Sequence, residues 1–135
     1  MTRSRLTMTV DEEAHMLILR YIGAIEGDEI NLSMIEQLSR LDAPWTYDTI
    51  IDMRRYDNTV LASEIDELGM KWGMLAQGRD KGRLTAIVSE DPLVWARLPI
   101  SQAAFPHRIL QTFKTYDEGM DWIRAGREAA HQAVA

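Results

Sequence analysis

Apolar and polar residues alternate from Leu6 to Val10 and again from Ala14 to Ile22, where Met16, Ile18, Arg20 and Ile22 share one parity. A period of two marks a strand with two different faces, and the polar Asp11-Glu12-Glu13 between the runs predicts a hairpin. Gly23 to Gly27 reads as a loop with one apolar residue, Ile25. Asp28 then stands where a helix cap is expected, and Ile30, Met34, Ile35, Leu38 and Leu41 fall on one helical face. Proline disfavours helix in the residue before it, so this helix should stop near Asp42-Ala43-Pro44.

Tyr47 to Arg54 is a short apolar run closed by an acid and bases, as in a parallel strand buried on both faces. After the polar loop Tyr56-Asp57-Asn58-Thr59, Ser63 is expected to cap a helix, with Asp66 three positions on. Ile65, Leu68, Gly69, Trp72, Leu75 and Ala76 then repeat at helical spacing, and Glu67 and Lys71 can pair on the outer side. This should be the longest helix. Arg83 to Ser89 predicts a second buried strand, and Asp91-Pro92 supplies a cap followed by proline at the first helical position. Pro99 prevents an unbroken helix, so a short one to about Leu98 and a second piece up to Phe105 are expected.

Arg108 to Lys114 predicts the last strand. Thr115-Tyr116-Asp117-Glu118 matches a capping box ahead of a terminal helix with Met120, Trp122 and Ile123 inward, its Ala-rich tail after Gly126 expected to fray. The order ββαβαβαβα within residues 1–135 predicts one α/β domain. Such alternation implies right-handed crossovers and a mixed, mostly parallel five-stranded sheet, its first strand antiparallel at an edge.

Composition narrows the chemistry. The chain has 135 residues and no cysteine, which removes disulfides, thiolate metal sites and thiol nucleophiles. A net charge of -6 opposes binding to phosphate backbones, so nucleic acid is not an expected partner. No apolar run reaches the roughly 20 residues of a membrane helix, and the start lacks the apolar block of a secretion signal, so a cytoplasmic protein without integral membrane association is expected. Arg79-Asp80-Lys81-Gly82-Arg83 reads as a solvated turn. His15, His107 and His131 have no metal-ligand spacing, and no cofactor fingerprint is present, so neither a metal nor a cofactor is expected.

The strand Thr49-Ile50-Ile51-Asp52, the helix from Ser63 to Gln77, the strand Leu84-Thr85-Ala86-Ile87-Val88, and Ile109 to Phe113 leading into Glu118-Gly119-Met120-Asp121-Trp122-Ile123 together resemble the STAS domain. This is the SpoIIAA-like fold of bacterial anti-sigma factor antagonists, and the resemblance spans almost the whole chain. It implies a bacterial protein-interaction or regulatory module that binds another protein or a second copy of itself, as a homodimer, and catalyses nothing. Signalling members carry Asp-Ser-Ser-Gly at the start of the helix after the middle strand, where a serine is phosphorylated. Here Leu61-Ala62-Ser63-Glu64-Ile65 stands in the nearest place, and the acids Glu64, Asp66 and Glu67 would repel a phosphate on Ser63.

The candidate binding residues are therefore Asp52, Arg54, Arg55, Asp57 and Ser63 at the strand-to-helix edge, where α/β proteins hold ligands, with Met70 and Met74 as an apolar contact. Asp52, Asp57 and Glu64 beside the two arginines would also serve acid-base work if they converged, but no nucleophile accompanies them. Gly69 and Gly73 would let another backbone come close, and Met70 and Met74 would be adhesive if exposed, or would line a small pocket with Trp95. The alternative is a carrier or sensor of a small apolar or amphipathic ligand, prompted by the distant likeness of this fold to lipid-exchange domains. Its discriminating feature is a cavity between sheet and helices beside Trp72.

Overall fold

The computed structural model describes residues 3–134. Five strands form one sheet in the order β1-β2-β3-β4-β5. They are β1 (Arg5–Asp11), β2 (Met16–Gly23), β3 (Asp48–Tyr56), β4 (Leu84–Val88) and β5 (Ile109–Phe113). β1 runs antiparallel to β2 and the other pairs are parallel, as the alternation of elements predicts.

Spatial order follows chain order, so every parallel crossover steps the same way across the sheet. Right-handed crossovers then stack their helices on one face. That face carries α1 (Gly27–Ser39), α2 (Ala62–Ala76) and the pair α3 (Pro92–Ala96) and α4 (Leu98–Ala104). Ile30, Met34 and Leu38 of α1 and Leu68, Trp72 and Ala76 of α2 meet Leu17, Leu19 and Tyr21 of β2 there. The terminal helix α5 (Tyr116–Val134) alone covers the other face, with Ile123 against Ile50, Ala86 and Val88.

Local chemistry explains most boundaries and corrects some. The Asp91 carboxylate accepts the Leu93 N–H at 3.0 Å, and Thr115 and Glu118 exchange the reciprocal bonds of a capping box. Ser63, however, caps nothing. α2 begins two residues earlier than that cap would set, with Leu61 at the cap, where Glu64 reaches back to accept the Leu61 N–H at 2.8 Å. Asp28 likewise lies inside α1, whose cap is Glu26.

The longest helix is α5, of 19 residues, and not α2, of 15. α5 runs helical through its Ala-rich tail, where Arg127 donates to Asp48 Oδ2 at 2.5 Å and to the Ala14 and His15 carbonyls at 2.6 and 2.9 Å. Of the two glycines in α2, only Gly69 mediates a close approach: a Cβ there would fall 2.4 Å from the Ala104 carbonyl oxygen of α4, whereas Gly73 faces open space.

Candidate functional site

Beneath the three crossover helices lies a cavity of about 140 Å³. Its floor is one face of the sheet, from Leu17 and Leu19 through Ile51 and Met53 to Ile87. Its roof comes from α1 (Met34, Leu38), α2 (Leu68, Trp72) and the α3–α4 segment (Val94, Phe105). The exposed Thr59, Asp91 and Leu93 also border it, which puts its mouth between the β3–α2 loop and the start of α3, at the C-terminal ends of the strands. Arg97 bridges the two sides of that mouth by donating to the Val60 carbonyl.

Polar groups are few and lie at the ends. Near the mouth, the Asn31 amide donates to the Glu64 carbonyl at 2.9 Å, and burial pushes the Tyr21 hydroxyl well above its ordinary pKa, keeping it neutral. At the opposite end, by the N-termini of β3 and β4, lies Arg108, only 6% exposed. Its Nε donates to Thr85 Oγ1 at 2.8 Å, and its Nη2 to the Tyr47 carbonyl at 3.0 Å and Thr49 Oγ1 at 3.2 Å. Asp80 Oδ2 accepts the Trp72 indole N–H at 2.7 Å and lies 3.9 Å from Arg108 Nη1. Burial lowers the Arg108 pKa to about 10 against the opposing pull of Asp80 and Asp48, so the group stays cationic at neutral pH.

Residues 79–83 form the expected solvated turn, with Arg79, Lys81 and Gly82 exposed, except at Asp80. Asp80 is 2% exposed and tied to Trp72, and the Arg79 guanidinium stacks 3.4 Å from the centre of the Trp45 ring. A run of charges reads as a loop in sequence because nothing in it reports which aromatic rings will cover it. Arg108, Arg97 and Asp80 had no signal of their own.

The residues singled out from the sequence fall in three separate places. Asp52 is buried on the α5 face of the sheet, held by Arg54 Nε and Nη2 at 2.9 and 2.8 Å and by Arg20 at 3.7 Å. Burial alone would raise its pKa, but the hydrogen bonds from Arg54 and the charges of Arg54 and Arg20 bring it below the ordinary carboxylate value. Arg54 also lies over the Tyr116 ring at 5.5 Å. An extra residue in β3 between Asp52 and Arg55 reverses the strand's parity here, which turns Tyr56 to the cavity side to meet Tyr21 edge-on at 5.5 Å.

Arg55 and Asp57 are exposed, and the Asp57 N–H donates to the Gly23 carbonyl at 2.7 Å. Glu64 belongs to the start of α2 on the face opposite to Asp52, so Asp52, Asp57 and Glu64 do not form the convergent acid-base set considered above. Ser63 is exposed as the second residue of α2. Met70 and Met74 are 69% and 74% exposed on its outer side. Met74 and Trp95 do not border the cavity, and Met70 edges only the separate groove between α2 and the Phe105–His107 segment.

Among the described residues no group of three His, Cys, Asp or Glu side chains could hold a metal ion, and no helix is long and apolar enough to cross a membrane. No protein-family profile matches the sequence, and no curated protein matches it. Among solved structures, the chain is similar to an uncharacterised protein of the DUF3478 family from Shewanella loihica PV-4, described as having a SpoIIAA-like fold. The likeness covers 88% of this chain and 92% of that one, with a TM-score of 0.60 and 15% identity. At that identity it is the architecture that is shared, and with β1 antiparallel at the edge of an otherwise parallel five-stranded sheet, this chain has a SpoIIAA-like fold.

Proposed function

We propose that this protein binds a small, largely apolar molecule in the cavity beneath α1, α2 and α3–α4, as a carrier or sensor, and that it catalyses no reaction. The observation that carries this reading is the cavity itself. Protein interiors close-pack and leave few voids larger than a water molecule, so 140 Å³ of space walled by Leu17, Met34, Ile51, Trp72 and Phe105 is an exception in need of an occupant. Its size matches an engineered apolar cavity of about 150 Å³ that binds benzene. Apolar walls with a few polar groups at the ends are the usual make-up of a small-molecule site.

The test is native mass spectrometry of protein purified gently from its own source, together with an NMR titration of the same chain with toluene. An adduct that is lost on denaturation, or toluene-induced shifts confined to the cavity wall, supports the reading. A bare protein whose Trp72 and Ile87 signals do not move at saturating toluene overturns it.

A second reading, a regulatory protein-interaction module or homodimer, draws on the exposure of Met70 and Met74. Methionine adapts to irregular partners, and two such side chains one helical turn apart form a compact apolar contact. Sedimentation of the wild-type chain and of a Met70→Lys, Met74→Lys double variant tests it: a dimer that the double variant dissolves supports this reading, and a wild-type monomer removes the homodimer.

A further inference from the structure

The end of the cavity away from its mouth carries one guanidinium and two hydroxyls and, among the described residues, no carboxylate. Arg108 Nη1 makes no hydrogen bond; its nearest counter-charge, Asp80 Oδ2, lies 3.9 Å away and already accepts the Trp72 indole. Among the described residues, no fully enclosed side-chain nitrogen or oxygen lacks a partner. Nη1 is therefore not fully enclosed, and Arg108 is one of the residues that line the cavity. Thr49 and Thr85 line it too. Each hydroxyl oxygen accepts a bond from Arg108, which leaves the hydroxyl hydrogen free to turn toward a ligand. Asp80 borders the neighbouring groove and not this cavity.

Charge points the same way. Asp48, at the start of β3 on the α5 side of the sheet, is bonded to Arg127 at 2.5 Å and lies 4.0 Å from Arg83. Asp48 is thus taken up by Arg127 and the Leu84 N–H, and the carboxylate nearest to Arg108 is Asp80, 3.9 Å from Nη1 and not hydrogen-bonded to it. A buried cation with a spare donor and no hydrogen-bonded counter-ion gains from an anion that brings its own oxygens.

We infer that the cavity takes a small apolar carboxylate, with its hydrocarbon body over Leu17, Ile51 and Ile87 and its oxygens on Arg108 Nη1 and the Thr49 and Thr85 hydroxyls. The inference rests on the cavity being a binding site. The volume sets the size of the acid: one ring or a short chain. The sheet from Thr49 to Met53 spans about 13 Å at roughly 3.3 Å per residue, long enough for such a body to lie between the mouth and Arg108.

Benzoate and toluene, which have similar ring bodies with and without the carboxylate, separate the two claims. Both are titrated into the full chain at pH 7, with affinity from calorimetry and location from the Trp72 indole and Arg108 Nε–H signals in NMR. The expected result is benzoate at least tenfold tighter than toluene, with both signals shifted. Arg108→Gln should abolish that ratio. Thr85→Val, which keeps the shape and removes one donor, should shrink it and serves if Arg108→Gln fails to fold. Toluene binding with benzoate no tighter, or a ratio unchanged in Thr85→Val, overturns the inference and leaves the cavity reading standing. No cavity binding of either compound overturns both.

Discussion

Replacing Ile87 by phenylalanine is expected to stabilise the fold and to close the site at the same time. Ile87 lies mid-strand in β4, 7% exposed, with its side chain on the cavity floor. In a close-packed core a larger side chain forces off-rotamer neighbours and costs about 1–3 kcal/mol. Here it enters open space. Empty cavity volume costs about 24 cal/mol per Å³, so a cavity of 140 Å³ represents at most about 3 kcal/mol. The mouth lets water share that space, and one Ile→Phe change fills only part of it, so a gain of about 0.5–1 kcal/mol is expected. Phenylalanine also suits a strand, so the backbone has no reason to object. Urea denaturation reads the gain as a higher midpoint at an unchanged slope, and toluene affinity should fall at least tenfold. A loss of more than about 1 kcal/mol with an unchanged slope would mean that the space is filled in solution, and the reasoning from cavity to ligand would fail with it.

Four further substitutions test other parts of the structure. Gly69→Ala should destabilise by about 1–3 kcal/mol because its Cβ meets the Ala104 carbonyl, while Gly73→Ala, with open space around it, should stabilise by about 0.5–1 kcal/mol through helix propensity; thermal melts of both variants check the contrast. Asp52 has a folded pKa below its unfolded value, so its contribution is fully present above roughly pH 4 and is lost as pH falls through the folded pKa. Asp52→Asn should therefore cost stability at pH 7, about 1 kcal/mol given that Arg20 and Arg54 are partly solvated, and should flatten the acid side of the stability profile. Trp72→Phe takes from the buried Asp80 its one side-chain hydrogen bond and should cost about 1.5–3 kcal/mol in a denaturant melt.

The strands and helices were legible because their signals are periodic and redundant. Leu17, Leu19 and Tyr21 alternate with Ile18, Arg20 and Ile22, and shifting that register would turn the whole set inside out. Once five strands alternate with helices, handedness alone fixes which face carries α1, α2 and α4. The helix starts were less legible, since a cap depends on one rotamer: Glu64 reached Leu61 and made the preference for serine at Ser63 irrelevant. The candidate site was the least legible. Ile51 and Ile87 face a cavity, Ile50 and Ile123 face packed neighbours, and the four look alike in sequence. Arg108 stood at the edge of a predicted strand as an ordinary charge, because its burial depends on Thr49, Asp80 and Thr85, brought to it by three other segments.

Because neighbours in the sheet are also neighbours in the chain, most of the fold assembles by closing short loops, each at small entropic cost. The Arg127 clasp is different: it joins α5 to the first hairpin turn across 112 residues of sequence. Such a contact belongs on the native side of the folding barrier. Its removal should leave the refolding rate almost unchanged and accelerate unfolding, so the clasp governs how long a folded molecule lasts more than how fast one forms.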